Sequence, residues 1–306
     1  MIKVSVIIPT FNGAQKLPFI LNSLGKQTHL AEEVLVVVDG STDNTYDVLE
    51  KHKESTKNLR IIYQENKGRA AVRNKGANEA SGHLLVFFDD DMLPLPDCLE
   101  KHVAHHLAHP KSILTGGLSE VIDKTSKDIL KYRHFLSLKW NEELRTDQNG
   151  KLQDGYLFLM AANFSIAKDT FLRLSGFDER LNDAEDFDLA VKAFKSGVPL
   201  YFKKDVFAWH NDKITCASYI RRQRQYALAH QKLINIKPWL AEETFMERPS
   251  LPKGWRKIIF KLFLHKIWIK AVDKDKFKRL PQKLRYKLYD LVITSNGIYY
   301  PEKVPL

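Results

Sequence analysis

Four short apolar runs, each followed by a helix-forming stretch, fill the first 110 residues and leave few folds open to the chain. Residues 4–8, Val4-Ser5-Val6-Ile7-Ile8, form a β-branched run that stops at Pro9, with Asn12-Gly13 as a turn signal. Leu17, Ile20, Leu21 and Leu24 then recur at helical spacing. The same logic predicts strands at 33–38 and 59–63 and helices at 46–53 and 69–80. A fourth strand, 83–88, runs straight into Asp89-Asp90-Asp91, with Pro94 and Pro96 beyond. This alternation predicts an α/β architecture, a mostly parallel sheet with helices on both faces. In such sheets ligands bind beyond the carboxyl ends of the strands, which places the acidic turn on the functional rim. Three adjacent carboxylates repel one another, and hard oxygen ligands suit Mg²⁺ or Mn²⁺. Asp is also a common turn residue, so the cluster needs companions before it means a metal site.

Some companions are missing. No strand end carries a G-x-G-x-x-G fingerprint or a Walker P-loop, which removes the main support for dinucleotide and NTPase readings. Others are present. Ala184-Glu185-Asp186-Phe187-Asp188-Leu189 opens a helix that runs to Gly197. Three acids in a first turn suit the helix dipole, and one of them could equally point into a site as a base. Tyr201-Phe202 and Val206-Phe207-Ala208-Trp209 read as two strands, with His210 at the end of the second. Cys98, His102, His105 and His109 share one helix face at a spacing that zinc could use. Leu99, Val103 and Leu107 form the adjacent apolar stripe, so these histidines are expected to flank a core helix. Strands are expected at 115–121 and 156–165, with an irregular connection around Trp140 and Asp147-Gln148-Asn149-Gly150 between them.

Charge divides the chain unevenly. Of a net +11, the stretch 236–306 carries +9, from 16 Lys and Arg against 7 Asp and Glu. Pro238, Pro249 and Pro252 mark a loop there, and 254–272 alternates bulky apolar and basic residues. Such a basic amphipathic stretch suits a membrane interface, the body of the protein or a second copy of the chain. No nucleic-acid module appears, so a nucleic-acid partner is not expected. The two cysteines, Cys98 and Cys216, are far apart and fit reduced thiols in the cytoplasm. The apolar part of the N-terminus is too short for a signal peptide, and no apolar stretch reaches the 18 residues of a membrane span.

Taken together, six segments in order give the chain a family resemblance. They are Val6-Ile7-Ile8-Pro9-Thr10-Phe11-Asn12, Val38-Asp39-Gly40-Ser41-Thr42-Asp43, Asn66-Lys67-Gly68-Arg69-Ala70-Ala71-Val72-Arg73-Asn74, Asp89-Asp90-Asp91, Gly176-Phe177-Asp178-Glu179 and Glu185-Asp186-Phe187-Asp188-Leu189. Across residues 3–230 the chain resembles inverting family 2 glycosyltransferases, with a GT-A fold and the acidic turn as the DxD motif. The resemblance implies a nucleotide-sugar transferase domain at 1–235, and the change in charge and character beyond it marks a basic, mainly helical extension at 236–306. The resemblance also implies that Pro9, Thr10, Asn12, Asp39, Asn66, Lys67, Arg69, Asp89 and Asp90 hold the donor nucleotide, with UDP the expected one. Asp91, Asp89 and His210 would hold Mn²⁺ or Mg²⁺, and Asp186, beside Glu185, would be the catalytic base. Where relatives often have two acids before Gly-Ser, Val38 replaces the first. Such enzymes serve polysaccharides, lipid-linked oligosaccharides, proteins and small molecules, and the basic amphipathic tail tilts the expectation to a glycan or lipid-linked intermediate in surface polysaccharide synthesis, met at the inner face of the cell membrane. The alternative is an inactive module of the same fold that binds carbohydrate or membrane.

Overall fold

The computed structural model describes residues 2–56, 58–153, 155–241 and 251–304. The chain divides into two compact units, Met1–Ser119 with Leu138–Asn211, and Glu120–Ser137 with Asp212–Leu306.

The first unit is built on one eight-stranded sheet. Its strands are β1 (Val4–Thr10), β2 (Glu33–Asp39), β3 (Leu59–Gln64), β4 (Leu84–Phe88), β5 (Met92–Pro94), β6 (Ile113–Glu120), β7 (Asn163–Ala167) and β8 (Leu200–His210), in the order β3-β2-β1-β4-β7-β6-β8-β5. The first four are parallel, as the strand–helix alternation requires. The other half is mixed in, with β4–β7, β6–β7 and β5–β8 antiparallel. Side chains alternate between two buried layers along each central strand. Val6, Ile8, Val34, Val36, Val86 and Phe88 meet α1 (Leu17–Leu24) and α4 (Cys98–Ala108). Ile7, Leu35, Leu85 and Phe87 meet α3 (Arg69–Glu79), α6 (Lys168–Arg173) and α7 (Glu185–Lys195). Burial on both faces is why these strands read as continuous apolar runs. The α3 helix lies close to the sheet. A Cβ at Gly76 would come within 2.6 Å of Ile7 Cγ2.

Pro9 does not end β1. Pairing with β4 stops at Ile7↔Phe87, whereas pairing with β2 continues to Thr10↔Val38, so the missing N–H falls where the β4 ladder is already over. The strand expected at 156–165 shrinks to Asn163–Ala167, because β4 ends at Phe88, opposite Asn163, and leaves 156–162 without a partner. Tyr201-Phe202 and Val206–Trp209 belong to one strand, β8, which runs on through the half-buried Lys203 and the exposed Lys204 and Asp205. The connection around Trp140 contains a helix, α5 (Asp128–Glu143), which buries only Asp128, Ile129, Tyr132 and Ser137 and so shows little periodicity. The α4 histidines are inside the core. Ser165 Oγ lies 2.8 Å from both His102 Nδ1 and His106 Nε2, Asn163 Oδ1 lies 3.0 Å from His102 Nε2, and Ser112 Oγ lies 2.9 Å from His105 Nε2. Burial pushes His102 down to about 4 and His105 and His106 to about 3, so they serve as neutral hydrogen-bonding groups.

One buried carboxylate ties the start of β2 to its surroundings. Glu33 accepts hydrogen bonds from Ser5 Oγ (2.7 Å), Ser81 Oγ (2.8 Å), the Ser81 N–H (2.5 Å) and Arg60 (2.5 Å). Burial alone would raise its pKa, but these donors outweigh burial and hold it at about 2. The folded pKa lies below the unfolded one, so the stabilisation is complete above about pH 4.5 and disappears as pH falls towards 2. Glu33→Gln is expected to cost about 2 kcal/mol at pH 7 and much less near pH 3, measured by urea denaturation at both values. An equal loss at both pH values would contradict this account.

The second unit is helical. The α8 helix (Cys216–Ile236) starts at a capping box, with Thr215 Oγ1 accepting from the Ser218 N–H and Ser218 Oγ accepting from the Thr215 N–H. It packs with α10 (Lys266–Asp273) and α11 (Gln282–Thr294) around Ile220, Ile269, Val272, Tyr289 and Val292. The amphipathic stretch 254–272 is therefore two helices with different fates. The α10 helix buries Ile269 and Val272, whereas α9 (Gly254–Leu262) buries none of its residues.

Candidate active site

The carboxyl ends of β1, β2 and β4 bring their loops together at one edge of the sheet. Thr10 Oγ1 donates to Asp90 Oδ2 at 2.7 Å, joining the first loop to the acidic turn. Gly13 permits this approach, because a Cβ there would lie 2.0 Å from Thr10 Oγ1. Asn12 binds the second loop, accepting from the Thr42 N–H (2.8 Å) and donating its own N–H to Ser41 Oγ (2.9 Å). Asp39 is buried and accepts from Gln64 Nε2 (2.7 Å) and from the N–H groups of Lys67 and Gly68 (2.9 Å each). It thus fixes the backbone of the Asn66–Lys67–Gly68 turn at the entrance to α3. The Asn66 and Lys67 side chains are exposed there, and Arg69 pairs with Asp183 at 2.7 Å.

The three carboxylates of the acidic turn have separate partners. Asp89 Oδ1 meets Arg73 at 2.5 Å. Asp90 Oδ1 and Asp91 Oδ2 share the Lys16 ammonium, at 3.2 and 2.9 Å. Asp91 Oδ1 faces His210 Nε2 at 3.3 Å. The short β5–β8 ladder, with Met92 opposite His210, delivers this histidine, and the Asn211 N–H bonds the Asp91 carbonyl at 2.8 Å. Burial pushes Asp90 up to about 6, opposed by Lys16 and reinforced by Asp91. Burial acts the same way on Asp91, but His210 and Lys16 prevail and hold it well below the usual carboxylate range.

The Arg73 guanidinium is buried and spans two motifs. It bonds Asp89 on one side and Glu185 Oε1, at 2.8 Å, on the other. Glu185 and Asp186 stand in the first turn of α7, and only Asp186 of the two is partly exposed. Burial raises both carboxyls, with Arg73 opposing. Glu185 is thus committed to an ion pair, while Asp186 keeps part of its surface exposed. Nothing in the sequence singles out Arg73 or Lys16: Arg73 lies inside the Asn66–Asn74 segment, and Lys16 directly precedes α1.

Residues 5–171, just over half of the chain, match the family description Glycosyl transferase family 2. The chain belongs to that family. Its family 2 relatives include validoxylamine A glucosyltransferase of Streptomyces hygroscopicus subsp. jinggangensis, 27% identical over 227 residues, covering 66% of this chain and 53% of that protein. Glycosyltransferase AglE of Haloferax volcanii is 27% identical over 210 residues, covering 68% and 66%. The chain therefore spans between about half and two thirds of the length of these relatives. Among solved structures, S. aureus TarS 1–349 in complex with UDP superimposes with a TM-score of 0.55 at 20% identity, covering 98% of this chain and 91% of that one. The mannosyltransferase PcManGT from Pyrobaculum calidifontis, in complex with GDP-Man and Mn²⁺, gives 0.60 at 20%, covering 98% and 88%. The fold is thus the GT-A arrangement expected from the sequence.

For a family 2 chain, the implied divalent cation can be tested against the residues present. Asp91 Oδ1 is buried without a well-formed hydrogen bond, and the nitrogen it faces is a good donor atom for the same ion. Their 3.3 Å separation is close to the roughly 3 Å between neighbouring ligands in a Mg²⁺ or Mn²⁺ shell. The donor set fits.

Proposed function

We propose that this chain is a metal-dependent inverting glycosyltransferase, carried by residues 1–235, that moves a sugar from a UDP-sugar to an acceptor hydroxyl. The observation that supports this most is the Arg73 bridge, which ties the acidic turn to the helix bearing Asp186. The Thr10–Asn12 loop with Pro9, Asp39, and the Asn66–Arg69 segment form the donor cradle. Asp91, with Asp89 and His210, would hold the Mn²⁺ or Mg²⁺ ion, which when bound supplies positive charge to the leaving diphosphate. Asp186 takes the proton as the acceptor oxygen attacks the anomeric carbon. The bond from that carbon to the diphosphate oxygen breaks, its electron pair leaves with the nucleotide, and configuration inverts. Burial raises Asp186, which makes it a stronger base than an ordinary carboxylate.

The acceptor in this reading is a glycan or lipid-linked intermediate of surface polysaccharide synthesis. The extension 236–306 brings the enzyme to it by peripheral contact of 254–272 with the membrane. No helix among the described residues is long and apolar enough to cross a membrane. The donor class is tested by calorimetric titration of UDP, with GDP as control, with and without Mn²⁺. Wild type should bind UDP more tightly with Mn²⁺ than without. Asp91→Asn should lose that enhancement while keeping the metal-free affinity. Indifference of both proteins to UDP would overturn the assignment.

A further inference from the structure

In the second unit, one open cavity of about 820 Å³ is ringed by Lys253, Lys257, Lys261 and Lys303. Leu264 and Tyr300 give it an apolar wall. The first three lysines fall four residues apart and line one stripe of α9. Among the described residues, none of the four lysines has a carboxylate partner, and none of the residues lining the cavity is acidic. Four ammonium groups around one opening repel each other, and a bound anion removes that repulsion. Beside this stripe, α9 presents a second one to solvent. Trp255 is 70% exposed, Ile258 64% and Leu262 65%. These three recur at i, i+3 and i+7, so they form one apolar face.

We propose that α9 and the cavity together form a binding site for anionic phospholipid in a bilayer, the lysines holding a headgroup phosphate and Trp255, Ile258 and Leu262 entering the acyl boundary. This rests on the membrane-facing reading of 254–272 and narrows it. The α10 half of that stretch offers less, because Ile269 and Val272 are spent on the core of the unit and Ile267 is its one large apolar side chain that stands well exposed, at 63%. The cavity adds Tyr300 and Lys303, about 40 residues beyond the end of α9. Charge complementarity selects the occupant. A free phosphate would leave the apolar face in water, and a neutral membrane would leave the lysines unanswered.

The test is co-sedimentation of the full chain with vesicles of phosphatidylcholine alone and of phosphatidylcholine mixed with phosphatidylglycerol. Wild type should sediment only with the mixed vesicles, and millimolar inorganic phosphate should not release it. Lys253→Gln, Lys257→Gln and Lys261→Gln combined should weaken binding about a hundredfold, from roughly fivefold per lysine at an anionic surface. Trp255→Ser with Ile258→Ser should weaken it with the lysines intact. All five positions are exposed, and an unchanged melting temperature verifies folding. Absence of binding, equal binding to both vesicle types, release by phosphate, or full binding by the triple lysine variant would each overturn the proposal. UDP titration on the same samples separates this from the transferase reading, since a protein that binds UDP but not vesicles loses only the lipid site.

Discussion

Asp186→Asn is expected to reduce sugar transfer by about a thousandfold while leaving UDP affinity within about twofold of wild type. The split follows from the geometry. Asp186 is the partly exposed carboxylate at the start of α7, and the contacts proposed for the donor lie on other loops. Asn keeps the volume and the side-chain oxygen that accepts from the Phe187 N–H, so the helix start is preserved. What it removes is the capacity to take a proton. The pH profile gives an independent check. Burial raises the carboxyl, and only its ionised form is a base, so wild-type activity should fall with decreasing pH above the ordinary carboxylate range. Transfer by the Asn variant at more than a tenth of the wild-type rate would remove Asp186 from the role of base.

Arg73→Met is expected to cost about 3–5 kcal/mol of stability, the usual price of leaving buried charges unpaired. Arg73 is buried and answers two carboxylates, Asp89 and Glu185, from motifs about 100 residues apart in the chain. Met fills part of the volume but leaves Glu185 buried with no cation beside it. Chemical denaturation measures the loss. If it comes from the orphaned charge, adding Glu185→Gln should recover part of it, and the two changes should be strongly non-additive. A loss below about 1 kcal/mol would mean that the bridge holds neither the turn nor the helix. Arg73→Lys should behave more like Met than like wild type, because one ammonium does not reproduce two separate guanidinium contacts.

The half of the sheet made of β1 to β4 was legible because parallel strands covered on both faces must be apolar throughout. The rest was not, for reasons visible in particular residues. Met92–Pro94 is too short to show a period and exists only because β8 passes beside it. The α5 helix hides because just two of its buried residues, Ile129 and Tyr132, are apolar. The α4 histidines suggested zinc by spacing, yet their partners Ser165 and Asn163 lie about 60 residues away on another strand. The site shows the same division. Asp89, Asp91, Asp186 and His210 stand out because carboxylates and imidazoles gather at strand and helix ends. Lys16 and Arg73 do not, since a single cation has no pattern until the fold places an acid beside it.

The pairing of the acidic turn changes what that turn demands of its surroundings. In sequence it is three negative charges in a row, an arrangement that asks for an outside ion. In the fold, Lys16 and Arg73 supply part of the countercharge, two cations for three carboxylates, with Arg73 shared with Glu185. In the proposed reading an arriving ion would compete for Asp91 with a tethered ammonium, so it would enter a site whose negative charge is already partly answered.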